Sequence, residues 1–302
     1  MPVRSENSIL VYDVGGSHVA AALCRQHGYA LEGVQSASHP EEETAAGFVR
    51  LLHSMGMKAL AGRGPVEGAE LAMPGPFDYQ AGISWMTHKL PYLHGVDLRR
   101  EVAASFGWEP EQVRFLNDAA AYLLGEIGAG EAKGAARSIG FTLGTGIGSA
   151  FAVDGSVVVE GPGVPPGGEI WNVPYQGGIV EDFVSTRAIQ GLYRKRTGLE
   201  CDVAELAARA ASDPVAAEVF KEFGRQMSLA LRATLAAFAP DVVVLGGGIS
   251  RSAELFLPSA REALGGLSLD LRVSTLQDNA PLVGSGVAWF GHAMAEPAMT
   301  SV

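Results

Sequence analysis

Three short stretches of this chain pair glycines with acidic or hydroxyl side chains in a way that suits phosphate binding. The first is Asp13-Val14-Gly15-Gly16-Ser17. A strand delivers the carboxylate, and the two glycines let the backbone turn sharply and come close to a ligand. Amides beside Gly15, Gly16 and Ser17 can face phosphate oxygens, while Asp13 can hold the water shell of a Mg²⁺ ion. The second is Leu143-Gly144-Thr145-Gly146-Ile147-Gly148, three glycines around a threonine hydroxyl. Such a loop can wrap a chain of phosphates. It is not GxxxxGK[ST], which excludes a P-loop. Nor does it fit a dinucleotide fingerprint, which opens a helix, because SAFAVDG continues as a strand. The third is Gly246-Gly247-Gly248 after Val242–Leu245, a strand end that a flat base and ribose can approach. Each stretch also reads as a plain glycine turn.

A separate carboxylate stands at Asn117-Asp118, after the strand-like QVRFL. A carboxylate at a strand end can accept the proton of an attacking hydroxyl. An aspartate there also caps the helix that follows, and both readings hold at once.

The elements that must position these groups can be read from the apolar patterning. SILVYDV (8–14) and HVAAALC (18–24) read as strands joined by a tight turn. A helix is predicted near 41–56, a strand near 68–73 ending at MPGPFD, a helix over 98–106, a buried strand over 112–116 and a helix over 119–127. RSIGFTL (137–143) and SAFAVDG (149–155) then repeat the strand–turn–strand theme, a loose internal echo of the opening. Helices are predicted near 181–196, 214–239 and 283–296, with a buried strand over 242–248. Strands mixed with helices give an α/β class. No Pro/Ser-rich linker interrupts the chain, so a domain boundary is expected in a continuous hinge near 117–120.

The chain has 302 residues, 47% hydrophobic and 18% charged, which suggests about two globular domains. Its net charge of −11 gives no general attraction to nucleic acid, and no Lys/Arg-rich tract suggests a membrane surface. Arg232 and Asp241 interrupt the best apolar run, so no membrane span is expected. Cys24 and Cys201, far apart, make neither a disulfide framework nor a metal-site pair. The opening residues lack a signal-type apolar core, and the reading is cytoplasmic.

Taken in order, DVGGS, MPGPFD, Asn117-Asp118, LGTGIG, GGEI and VVLGGGIS resemble the ROK family of bacterial sugar kinases, from about residue 8 to about residue 290. The resemblance implies a two-lobed, actin-like ATPase (ribonuclease H-like) fold with duplicated domains and a central cleft. The smaller lobe would be 1–117, completed by the C-terminal helix at about 284–302, and the larger 118–283. It implies ATP-dependent phosphorylation of a hexose or hexose derivative, with ATP and Mg²⁺, in a homodimer. Asp118 would be the base, with Asn117 beside it on a sugar hydroxyl and Glu169 and Glu181 as sugar ligands. Asp13, Gly15, Gly16 and Ser17 would form the first phosphate element and Gly144, Thr145 and Gly146 the second. Gly247 and Gly248 would face the adenosine.

The chain also departs from that pattern. Asn172 stands where family members often carry a sugar-binding histidine, and an amide replaces an imidazole only with a different reach. In PYQGGIVE, Ile179 stands where a zinc-binding cysteine would, so no zinc site is expected. His88 and Lys89 fall where the family places a sugar-contacting loop, and His88 is taken as the contact. Trp85 and Trp171 can stack on a sugar face or simply be buried. Three readings stay open beside the ATP-dependent kinase: a sugar-binding protein with weak or lost activity, a ROK-type regulator lacking its DNA-binding domain, and inorganic polyphosphate as phosphate donor. The first strand begins too early to leave room for a helix-turn-helix module, which counts against the regulator.

Overall fold

The computed structural model describes residues 7–39 and 44–295. Contacts divide the chain into a first unit, Met1–Ala129 with Asn279–Val302, and a second, Gly130–Asp278.

The first unit contains β1 (Ser8–Val14), β2 (His18–Arg25), β3 (Leu31–Ser38), α1 (Ala45–Leu60), β4 (Ala69–Met73), a small hairpin of β5 (Phe77–Asp78) and β6 (Ile83–Ser84), α2 (Leu98–Phe106), β7 (Val113–Asn117) and α3 (Asp118–Ala129). Its main sheet has the order β3-β2-β1-β4-β7. The first three strands pair antiparallel, and β1, β4 and β7 run parallel. Successive side chains of β1 alternate between two layers, as the two-residue period of a strand requires. Leu10 and Tyr12 join a core with Phe48, Leu52 and Leu98, while Ile9 and Val11 pack with Leu282, Trp289 and Phe290. The helix expected near 41–56 starts at Ala45, where the Thr44 hydroxyl accepts the Gly47 amide at 3.1 Å; residues 41–43 lie outside the described residues.

The second unit repeats this plan with β8 (Arg137–Leu143), β9 (Ile147–Val153), β10 (Ser156–Val158), the short hairpin of β11 (Pro174–Tyr175) and β12 (Gly178–Ile179), α4 (Thr186–Thr197), α5 (Val203–Arg209), α6 (Pro214–Phe238), β13 (Val242–Gly246), α7 (Ala253–Ala263) and β14 (Asp270–Val273). The sheet order is β10-β9-β8-β13-β14, again three antiparallel strands followed by parallel pairing of β8, β13 and β14. The hairpin echo seen in the sequence is thus one part of a repeated five-stranded sheet. α4 starts later than expected because Val180–Asp182 form a separate 3₁₀ turn and Ser185 caps the helix.

The last helix, α8 (Ala280–Ala295), packs in the first unit. The predicted C-terminal segment 284–302 is helical as far as Ala295, and residues 296–302 lie outside the described residues. The break expected near 117–120 separates β7 from α3, but α3 stays with the first unit, whose first stretch ends at Ala129. Glycine is the reason. A Cβ at Gly284 would press on the Ala121 carbonyl, and one at Gly125 on the Ala280 carbonyl. The two helices therefore approach to backbone contact, which no other residue permits at these positions.

Two outcomes follow from this packing. Gly284→Ala should cost about 1–3 kcal/mol through overpacking, read as a lower melting temperature. Glu70, buried on β4 between Val11 and Arg114, has its carboxyl pushed up to about 8 by burial, against the pull of Arg114 and Arg99. The folded chain then holds a proton that the unfolded chain releases in the ordinary glutamate range. Stability should fall as pH rises between those two values and level off above the upper one. Melting curves of Glu70→Gln across the same interval should show a shallower fall.

Candidate active site

In the first unit the parallel strands put their carboxyl ends at one sheet edge. Asp13 lies opposite Ala72 on β4, and Met73 lies opposite Asn117 on β7. Asp13, half-buried, therefore shares this edge with the Asn117-Asp118 step, the place where open α/β sheets present ligand groups.

The turn after Asp13 is held by groups the sequence did not point to. The Gly15 amide donates to the His18 carbonyl at 2.8 Å. Buried His39 lies with Nε2 3.2 Å from the Gly15 carbonyl, and its own amide donates to the Ser17 carbonyl at 3.1 Å. The Tyr92 hydroxyl sits 3.3 Å from His39 Nδ1. A carbonyl can only accept, so Nε2 carries a proton directed at Gly15. His39 staples the turn, leaving Gly16 and Ser17 exposed. His18 is also exposed, 2.8 Å from Ser17 Oγ.

Asn117 and Asp118 divide the work at the start of α3. The Asn117 side-chain oxygen accepts the Ala120 amide at 3.1 Å, the geometry of an N-cap, so the cap expected of Asp118 falls to its neighbour. The Asn117 amide donates to the Tyr79 hydroxyl at 3.1 Å, and Tyr79 donates in turn to the Met73 carbonyl at 3.2 Å. Asp118 accepts the Ala119 amide at 2.8 Å, at the positive end of the helix. Its carboxyl is pushed above the ordinary aspartate range by burial, against the pull of Lys89, the adjoining amides and the Asn117 side chain. His88 and Lys89 are both exposed, and the charge of Lys89 acts on Asp118.

In the second unit, Gly144, Thr145 and Gly146 close the β8–β9 hairpin, in which Leu143 pairs with Ile147. Thr186, at the start of α4, donates its amide and hydroxyl to the Gly144 carbonyl at 2.8 and 2.9 Å. Glu181 lies against this loop. Its Oε2 accepts the Ile147 amide at 3.3 Å, and its Oε1 pairs with Arg187 at 3.4 Å. A Cβ at Gly146 would collide with the same carboxylate. Glu169 is exposed and accepts the Trp171 indole N–H at 3.0 Å. The Ser149 hydroxyl anchors that segment, donating to the Gly168 carbonyl at 2.6 Å and accepting the Ile170 amide at 2.9 Å. Asn172 is exposed beyond it, as are Trp171 and, in the first unit, Trp85.

Gly247 follows β13 with φ +79°, and a Cβ there would stand 2.5 Å from the Leu143 carbonyl oxygen and 2.7 Å from the Leu143 nitrogen. The two glycine motifs of this unit are thus packed backbone to backbone. A pocket of about 540 Å³ opens beside them, lined by Gly144, Thr186, Gly248, Arg251 and Ala204 among others. Arg251 is paired with Asp278. The α5 side of this pocket was not legible in the sequence, which marks α5 neither as a helix nor as a ligand wall.

The ROK family model matches residues 9–290. The chain belongs to the ROK family. It is 26% identical over 276 residues to a glucokinase of Thermotoga maritima, covering 83% of this chain and 84% of that protein. It is 26% identical over 267 residues to an N-acetyl-D-glucosamine kinase of Aliivibrio salmonicida, covering 81% and 85%. A ROK family glucokinase from Streptomyces griseus, solved in complex with glucose and AMPPNP, shares the fold with a TM-score of 0.77 at 22% identity, covering 93% of this chain and 98% of that one.

Within this ROK chain the segment before Glu181 is a hairpin turned at Gln176 (φ +46°) and Gly177 (φ +82°). Tyr175 packs edge-on against Phe183 with ring centroids 4.9 Å apart, and Asp182 accepts the Ile179 amide at 3.0 Å. Among the described residues no group of three or more His, Cys, Asp or Glu side chains comes together in metal-binding fashion. No described helix is long and apolar enough to cross a membrane.

The two adjoining glycines separate fold from ligand. Gly247→Ala should lower stability by about 1–3 kcal/mol, from the left-handed backbone and the contact with Leu143. A Cβ at Gly248 meets nothing within 4 Å, so Gly248→Ala should melt like the parent protein. If calorimetry nevertheless shows weaker nucleotide binding for Gly248→Ala, the ligand is what approaches Gly248.

Proposed function

We propose that the protein transfers the γ-phosphoryl group of ATP to a hydroxyl of a hexose or hexose derivative, with Asp118 as the base. The observation that carries this reading is the common edge of β1, β4 and β7. It sets a half-buried carboxylate with a raised pKa beside the Asp13 glycine turn. Membership of the ROK family supports it, as do relatives named for phosphorylating glucose and N-acetylglucosamine.

The division of labour follows from the chemistry of each group. Asp118 takes the proton of the attacking hydroxyl, held in place by the Ala119 amide and the helix-capping Asn117. The exposed backbone at Gly16 and Ser17, and that at Gly144–Gly146, offers amides to phosphate oxygens. Gly247 and Gly248 with the neighbouring pocket take the adenosine side, and Glu169, Glu181 and Asn172 bind sugar hydroxyls. Glu181 must then exchange or share its contacts with the Ile147 amide and Arg187. Asp13 is an oxygen donor at a strand end, which suits a hard, hydrated cation, and it would hold Mg²⁺ through water. Bound there with the nucleotide, the ion would neutralise phosphate charge. A cytoplasmic setting is supported by two free thiols, of which buried Cys24 is pushed up to about 12 and so is inert. A homodimer is carried by family membership alone.

The test is coupled ADP release with MgATP against a panel of hexoses and N-acetylhexosamines. Turnover with at least one sugar is expected, reduced about 10²–10⁴-fold in Asp118→Asn, with nucleotide binding retained. Near-normal turnover in that variant would remove Asp118 from the role of base. The pH profile carries a second expectation. The base works only when ionised, so kcat/KM should be lost as pH falls through an acid limb above the ordinary aspartate range.

A further inference from the structure

Asp13, Asp118 and the phosphates of a nucleotide would bring several negative charges to one sheet edge, in a chain that is already acidic overall. The first unit supplies a cation there, Lys89, which the proposed division of labour leaves without a role. Lys89 lies between Met86 and Leu90, both buried, while its own side chain is exposed. The flanking apolar residues fix the backbone of the segment and leave the ammonium toward solvent. Its Cβ and Cγ are the atoms nearest to where a side chain at Gly16 would begin, at 3.9 and 3.8 Å. The lysine stem therefore runs within van der Waals reach of the first glycine turn. Beyond the turn, Lys89 is the charged side chain whose field acts on Asp118. One lysine thus has its stem at the turn that would cradle the transferred phosphoryl group and its charge acting on the carboxylate that would receive the sugar proton.

We propose that Lys89 is a catalytic residue that contacts the transferring phosphoryl group and offsets the charge gathered there as the sugar oxygen attacks. The proposal rests on the kinase reading of the same site. In the step, the sugar O–H proton passes to Asp118 and the sugar oxygen forms its bond to the γ-phosphorus. The bond from that phosphorus to the β,γ-bridging oxygen breaks, and its electron pair leaves with ADP. Lys89 takes no part in the proton transfer and acts as a fixed positive charge, worth most where water is excluded. A compact ammonium on a flexible stem fits this duty, and a guanidinium keeps the charge while changing the fork.

The experiment compares the full-length protein with Lys89→Met and Lys89→Arg. The side chain is exposed, so both variants should melt like the parent. With a sugar that turns over, Lys89→Met should lower kcat about 10²-fold with little change in sugar KM, and Lys89→Arg should recover a large part of it. An unchanged kcat, or a loss confined to sugar KM, overturns the proposal. A second measurement needs no turnover. The Asp118 carboxyl is titrated by carbon-detected NMR in the protein without ligands, and its midpoint should move up in Lys89→Met and stay near the parent value in Lys89→Arg. A midpoint that does not move removes the coupling on which the assignment stands, even where the parent is an active kinase. A parent silent with every sugar, whose midpoint still moves in Lys89→Met, instead sinks the kinase reading and the catalytic role together, leaving only the charge coupling.

Discussion

Because β1, β4 and β7 run parallel and in register, Asp13, Met73 and Asn117 emerge at one edge of one sheet. Every proposed function of the first unit depends on that register. A slip of one residue in β7 would turn Asn117 to the opposite face, away from Tyr79 and the start of α3. The register is in turn fixed by burial on both faces. Leu10, Tyr12 and Leu71 are committed to the α1–α2 core, and Ile9 and Val11 to the α8 side. The carboxylates are thus placed by hydrophobic side chains several residues upstream of them.

The second unit builds the same edge from β8 and β13 but arms it differently. Where the first unit ends its strands in Asp13 and Asn117-Asp118, the second ends them in glycines, and the contact between Gly247 and Leu143 locks the two glycine turns together. On the proposed function a repeated sheet would serve two needs. Carboxylates would manage protons and a hydrated cation, while backbone amides would hold anions, which side chains on the loop would obstruct. Glu181 shows how closely the parts of the second unit are joined. A residue expected to bind sugar also accepts a loop amide, at Ile147.

The strands with strong apolar runs and the order of the motifs were readable because burial on both faces leaves a continuous hydrophobic signature. β3 was not, because LEGVQSAS at the sheet edge is only half-buried and carries polar residues and a glycine. α7 contains Pro258, and β14 is four residues long, so neither gives a clear period. Among the site residues, the glycine turns and Asn117-Asp118 announced themselves by type and spacing. His39, Tyr79, Tyr92 and Ser149 did not, since each acts through a contact tens of residues away or to a backbone atom. The effect of Lys89 on Asp118 was of the same kind, since it acts across 29 positions of sequence.

The state of Asp118 shows why those distant contacts matter for chemistry. Burial alone favours the protonated form of its carboxyl, which cannot act as a base. Full exposure would leave it ionised but too weak to draw a proton from a sugar hydroxyl. The structure works between these limits. Desolvation pushes the pKa up, and Lys89, the first amides of α3 and the Asn117 side chain pull it back. The amides are available only because α3 begins at this residue, and α3 begins there because Asn117 caps it while Tyr79 holds Asn117. The same helix packs on α8 through Gly125 and Gly284. Placement of the proposed base and tuning of its acidity are therefore two consequences of one helix start, held at one end by a cap and along its length by glycine-to-backbone contact.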